Sequence, residues 1–155
     1  MFFYDLTDAV LETDGEIYEY VGDEVVVSWK KAKGLNNNNC LRCFFLIKKQ
    51  IAHNSEIYLR EFGLVPDFRA GLHGGVVVAG ELGDVRQKIA FIGDVINSTA
   101  RIRDYCREKN RRFLISDRII DRIQIPAEFL LEDMGDFQPR GKQQSFRIYS
   151  VAEKF

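Results

Sequence analysis

The run Phe91-Ile92-Gly93-Asp94-Val95-Ile96-Asn97-Ser98-Thr99-Ala100-Arg101 constrains this chain more than any other. A short β-branched and aromatic segment breaks at Gly-Asp, and the spacing that follows predicts a helix over about 95–108. Residues four apart share a helix face, so Asn97 and Arg101 aim an amide and a guanidinium at one target. A guanidinium is a fixed charge suited to phosphate oxygens, and an amide can hold a sugar or orient a reacting hydroxyl.

The surrounding pattern alternates helices and short strands. Phe2, Phe3, Leu6, Ala9 and Val10 follow helical spacing, and Asp14-Gly15 ends that helix. A hairpin is predicted over 16–20 and 25–29, turning at Gly22-Asp23. The Asn-rich run 36–39 reads as a loop or helix start, before a long helix over about 40–62. Three strands follow over 67–73, 76–80 and 88–92, then the helix over 95–108. Beyond it come a strand over 112–115, a helix over 117–123 capped by Ser116 and closed by Pro126, and strands over 129–131 and 146–151. With no repeat and no linker, this order predicts one α+β domain over 1–155, with a mostly antiparallel sheet and helices packed on it.

Charge and cysteine count restrict the function classes. Lysine and arginine (22) nearly balance aspartate and glutamate (23), so no global basic field exists to attract nucleic acid. Three cysteines without a secretory leader point to a reducing, cytoplasmic setting rather than a disulfide framework. No apolar run approaches the roughly 18 residues of a membrane span.

Four ordered segments carry a resemblance: YEYVGDEVVVSW from Tyr18, FRAGLHGGVVVAGELG from Phe68, FIGDVINSTARI from Phe91 and RGKQQSFRIYSV from Arg140. Together they resemble the class III adenylate/guanylate cyclase catalytic domain through nearly the whole chain. The wording of VGDEVVVSW, the Asn-rich run into CLRCFF and GDVINSTARI is most similar to bacterial members joined to membrane segments. The resemblance implies a ferredoxin-like cyclase fold, conversion of ATP to cyclic AMP and pyrophosphate in intracellular signalling, and two Mg2+ or Mn2+ ions per complete site. It also implies a homodimer with composite sites, and a membrane or sensor domain in a full-length protein of which this would be the cytosolic part. Alternatives are a guanylate cyclase acting on GTP and a non-catalytic regulatory module of the same fold.

The same resemblance assigns residues. Asp23 matches the second metal-binding aspartate, and Asn97 and Arg101 match the pair that positions the ribose and stabilises the transition state. Arg140 matches a lysine that grips the terminal phosphates, with Lys142 near enough to share the task, and Asp94 joins the substrate-binding set. The first metal aspartate would precede Phe2, on a strand that this chain is expected to lack. The purine-reading positions are Glu19 and Ala90. Adenylate-type members place Lys opposite Asp or Thr there, and guanylate-type members Glu with Cys; Glu19 leans to guanine, Ala90 offers no hydrogen bond, and the overall wording favours ATP.

Other residues read as structural. Asp5, Asp8 and Asp14 fit solvated surface. Cys40 and Cys43 have metal-pair spacing, but no second pair completes a site, and i,i+3 helix positions pack together. His73 fits turn packing, His53 surface, and Lys30-Lys31-Ala32-Lys33 a solvated loop.

Overall fold

Leu6, Ala9 and Val10 put their side chains on one face of α1 (Phe2–Glu12), where all three are buried. The computed structural model describes residues 2–21, 24–75, 78–82, 88–92, 94–138 and 145–154. They fall into two compact units, Met1–Phe68 and Arg69–Phe155.

In the first unit, β1 (Glu16–Val21) and β2 (Glu24–Ser28) pair antiparallel, as the hairpin pattern predicts. Trp29 ties the hairpin to α1, its indole Nε1 donating to the Thr13 carbonyl at 2.9 Å. Where a loop is expected, Lys31–Leu35 forms a short helix, α2, although Lys30, Lys31 and Lys33 remain exposed. The Asn run then turns the chain. Asn37 and Asn38 adopt left-handed backbone (φ 52° and 55°), which asparagine tolerates better than most residues. Asn39 is buried; its Nδ2 donates to the Lys33 carbonyl at 2.9 Å and its Oδ1 accepts from Arg42 Nη1 at 2.9 Å.

The expected long helix over 40–62 is two helices, α3 (Asn39–His53) and α4 (Ser55–Phe62), broken at Asn54. Asn54 (φ −98°, ψ 15°) leaves helical geometry, and its Nδ2 donates to Asp5 Oδ1 at 2.9 Å. Tyr58, one turn on, donates its hydroxyl to Asp5 Oδ2 at 2.5 Å. Asp5 is therefore not solvated surface: it is 6% exposed, held between two donors. Burial, then the Asp5 carboxylate, push the Tyr58 phenol above its ordinary range. Around this tie, Cys43, Ile47 and Ile51 of α3 pack with Leu6, Ala9 and Val10. Cys40 and Cys43 both lie buried, their thiols pushed up to about 11 by burial, and Cys43 packs in the core of this unit.

In the second unit, β3 (Ala70–Leu72) is shorter than the predicted strand, β4 (Val78–Leu82) pairs antiparallel with β5 (Lys88–Ile92), and α5 covers Asp94–Lys109. Next come β6 (Phe113–Ser116), α6 (Asp117–Ile120), β7 (Phe129–Phe137) and β8 (Phe146–Glu153). Strand order is β3-β6-β8-β7, with β3 and β6 parallel and the other neighbours antiparallel. All four residues of β6 are buried, as a central strand requires. Ile102, Cys106, Leu114, Phe146 and Ile148 form the core between α5 and this sheet. β7 runs six residues past the prediction because a bulge near Gly135 (φ 89°) lets it bend and continue, with Arg147 Nε donating to Asp133 Oδ2 at 2.8 Å.

Ser116 does not cap α6 with its side chain, and α6 stops at Ile120. Its hydroxyl instead pairs with His73 Nδ1 at 2.6 Å, joining the ends of the parallel strands β6 and β3. The His73 ring also meets Phe146 edge-on, centroids 4.5 Å apart. This is the packing role expected of His73.

Two predictions follow. Tyr58→Phe removes a donor from a buried carboxylate and is expected to cost about 1–3 kcal/mol in urea unfolding; an unchanged midpoint would detach Asp5 from the stability of the first unit. Burial, then the Arg118 guanidinium, pull His73 down from 6.5 to about 4 against a smaller opposing pull from Asp117. Between those values the unfolded chain binds the extra proton, so this share of stability is complete above pH 6.5 and is lost as pH falls towards 4. Melts across that window are expected to fall less steeply for His73→Gln than for the wild type, and parallel curves would exclude His73 as the group responsible.

Candidate active site

α5 begins at Asp94, and the helical period sorts its side chains as the sequence predicts. Ser98, Ile102 and Cys106 are buried, whereas Asn97 and Arg101 are exposed, one turn apart on another face. Among the described residues, neither Asn97 nor Arg101 is committed to a hydrogen bond or ion pair. An amide and a guanidinium are thus held side by side and open to solvent, an arrangement able to grip a polyanion and a sugar hydroxyl together.

Close backbone packing fixes α5. A Cβ built on Gly71 of β3 would lie 2.8 Å from the Thr99 carbonyl oxygen and 2.6 Å from the Arg103 nitrogen, so the helix backbone rests directly on the strand. Cys106 Sγ adds a contact to the Ala70 carbonyl oxygen at 3.4 Å. Thr99 Oγ1 donates to the Val95 carbonyl at 2.6 Å, tying together the turn that carries Asn97. The sequence reading did not single out Gly71; the glycine clustering in Ala70-Gly71-Leu72-His73-Gly74-Gly75 was its signal.

The purine-reading positions sit in the two hairpins. Glu19 lies in β1 opposite Val26, just after a register shift between Ile17 and Glu19, and is half-buried. Such an extra residue re-aims the side chains beside it, and only the pairing of the two strands reveals it. Ala90 lies in β5 opposite Gly80. Asp94 is the first residue of α5. Asp23, Arg140 and Lys142 fall outside the described residues, so the structure brings together Asn97 and Arg101 from the expected set and does not report on those three. His53 is exposed on α3.

No protein-family model matches the chain. Among curated proteins, "Adenylate cyclase 2" of Rhizobium meliloti (strain 1021) is 37% identical over 149 residues, covering 96% of this chain and 41% of that protein. "Adenylate cyclase 1" of the same organism is 26% identical over 96% of this chain and 23% of its own length. This chain therefore spans less than half of either relative. A bacterial light-regulated adenylyl cyclase superposes with a TM-score of 0.78 at 21% identity, over 99% of this chain and 44% of that one. The adenylyl cyclase CyaB from P. aeruginosa gives 0.78 at 19% identity, over 99% and 80%. A guanylyl cyclase gives 0.77 at 22%, over 98% and 77%. The structures establish the fold, and the sequence likeness runs from end to end of the chain. On both grounds, this chain belongs to the class III adenylate/guanylate cyclase catalytic-domain family.

Proposed function

We propose that the chain, as a single catalytic domain over 1–155, converts ATP to 3′,5′-cyclic AMP and pyrophosphate. The observation that carries this reading is the exposed Asn97 and Arg101 pair on one face of α5, in a chain 37% identical to a relative named adenylate cyclase.

The reaction is an in-line displacement. The ribose 3′-hydroxyl gives up its proton to solvent and its oxygen bonds to the α-phosphorus, as the bond to the bridging oxygen breaks and pyrophosphate leaves with that electron pair. Negative charge gathers on the α-phosphoryl oxygens, where a fixed guanidinium stabilises it more than it stabilises the ground state. Arg101 takes that role. Asn97, one turn earlier, holds the ribose so that its hydroxyl lies in line with the leaving group. Asp94 at the helix start, with Arg140 and Lys142, completes the hold on the nucleotide and its terminal phosphates.

Divalent cations, Mg2+ or Mn2+, are the proposed cofactor, and when bound they would supply positive charge at the phosphates. Asp23 is the proposed ligand on this chain. It lies outside the described residues, and among the described residues no three His, Cys, Asp or Glu side chains gather to hold an ion. The described donor set therefore does not make a metal site by itself.

The site is proposed to be composite, Asp23 of one protomer facing Asn97 and Arg101 of the other in a homodimer. No helix among the described residues is long and apolar enough to cross a membrane. We place the domain in the cytoplasm, linked to a sensor or membrane part in the longer protein.

A second reading, GTP as substrate, has one residue in its favour: Glu19, whose carboxylate would accept from the guanine N1 and amino groups. Incubation of the chain with Mn-ATP and, separately, Mn-GTP is expected to give cyclic AMP faster than cyclic GMP; the reverse preference would install the guanylate reading, and no product from either would leave a nucleotide-binding regulator. Arg101→Ala is expected to lower turnover by about 10²–10³ with little change in nucleotide binding. Mixing the impaired Arg101→Ala with Asp23→Ala is expected to restore activity above that of either variant alone, because one site of the hybrid dimer keeps both residues. Failure of the mixture to recover would argue against the composite site.

A further inference from the structure

Two glycines of one short segment press on the stretch of α5 that carries Asn97 and Arg101, Gly71 on the turn from Thr99 to Arg103 and Gly75 on Val95. At Gly71, the added carbon would meet helix backbone on both sides of the turn, Thr99 O at 2.8 Å and Arg103 N at 2.6 Å. At Gly75, three residues past the end of β3, it would meet the tip of Val95, with Cγ2 at 2.7 Å. Val95 and Thr99 are themselves joined by the 2.6 Å bond from Thr99 Oγ1 to the Val95 carbonyl. Asn97 sits between these two points of support, and Arg101 lies between Thr99 and Arg103.

β3 cannot give way easily. It is hydrogen-bonded in parallel to the fully buried β6, with Gly71 opposite Leu114, and the His73–Ser116 bond closes the end of the same pair. The strand is the fixed part and the helix rests on it. Regaining ordinary contact past a methyl group at Gly71 would require α5 to move outward by ~1 Å, since backbone atoms have no rotamer to escape into. At Gly75 the obstacle is a side-chain tip, which can be trimmed.

We propose that Gly71, supported by Gly75, is a positioning residue for catalysis: it sets how far Asn97 and Arg101 reach towards the nucleotide by fixing the depth at which α5 seats on β3. This rests on the reading of Asn97 and Arg101 given above. Misplacement on this scale costs about 10² in rate when the displaced groups act in the transition state.

The test pairs a structure with kinetics on the full chain. In a crystal structure of Gly71→Ala, α5 is expected to shift by ~1 Å relative to β6, and with Mn-ATP kcat is expected to fall about 10²-fold while KM stays within about threefold. An unmoved α5, or a moved α5 with kcat unchanged, overturns the proposal. Should Gly71→Ala not fold, Gly75→Ala carries the test: its loss of kcat is expected to be recovered by Val95→Ala in the same chain, and absence of recovery counts against the clamp. A displaced α5 in a chain whose wild type forms no cyclic nucleotide supports the clamp and counts against the functional reading alone.

Discussion

Backbone lying on backbone is the contact on which the second unit depends. Most helices rest on sheets through side chains, whose rotamers absorb small errors in spacing. At Gly71 that cushion is absent, and α5 sits on β3 at a depth set by atoms that have no alternative position. The buried face of Ser98, Ile102 and Cys106 then follows from the seating, as does the outward face of Asn97 and Arg101. A site that must hold a hydroxyl in line with a leaving group gains from being mounted on a regular element supported in this way rather than on a loop.

Buried polar side chains do comparable work elsewhere, each joining one element to another. Asp5 binds the break between α3 and α4 to α1, Asn39 binds α3 to α2, and Ser116 binds β6 to the end of β3. None of these ties adds much net energy by itself, because each replaces hydrogen bonds to water. Their weight lies in the cost of breaking one, which strands a polar atom away from solvent and so disfavours alternative packings. The chain uses apolar residues to drive burial and a few polar ones to fix which burial is adopted.

This division explains what the sequence disclosed. The helix carrying Asn97 and Arg101, the hairpin strands within 16–28, the presence of strands near 78–82 and at 88–92 and the fold class were all readable, because their signals are local: a period, a glycine turn, an alternation. The break at Asn54 was not, since its stabilising partner, Asp5, lies 49 residues away. Asp5 looked like surface because aspartate is seldom buried, although its place four residues before Ala9 put it on the apolar face of α1. Ser116 offered a cap by residue type and spent its hydroxyl on His73 instead, 43 residues distant. In the site, the shared face of Asn97 and Arg101 followed from helix geometry alone. The register shift beside Glu19 requires the partner strand to be seen, and Gly71 requires the helix that lies over it.

The cysteines have a consequence for how the domain would be observed. All three are free and buried, and their thiols are held protonated at neutral pH by an apolar setting. An oxidant or alkylating agent needs the thiolate and access to it, and the folded domain offers neither. Chemical modification therefore becomes a clock of opening, and the two units carry separate clocks: Cys40 and Cys43 run only when α3 lifts from its unit, and Cys106 only when α5 leaves its strand. The rate at which each thiol reacts then reports how often each half of the chain opens.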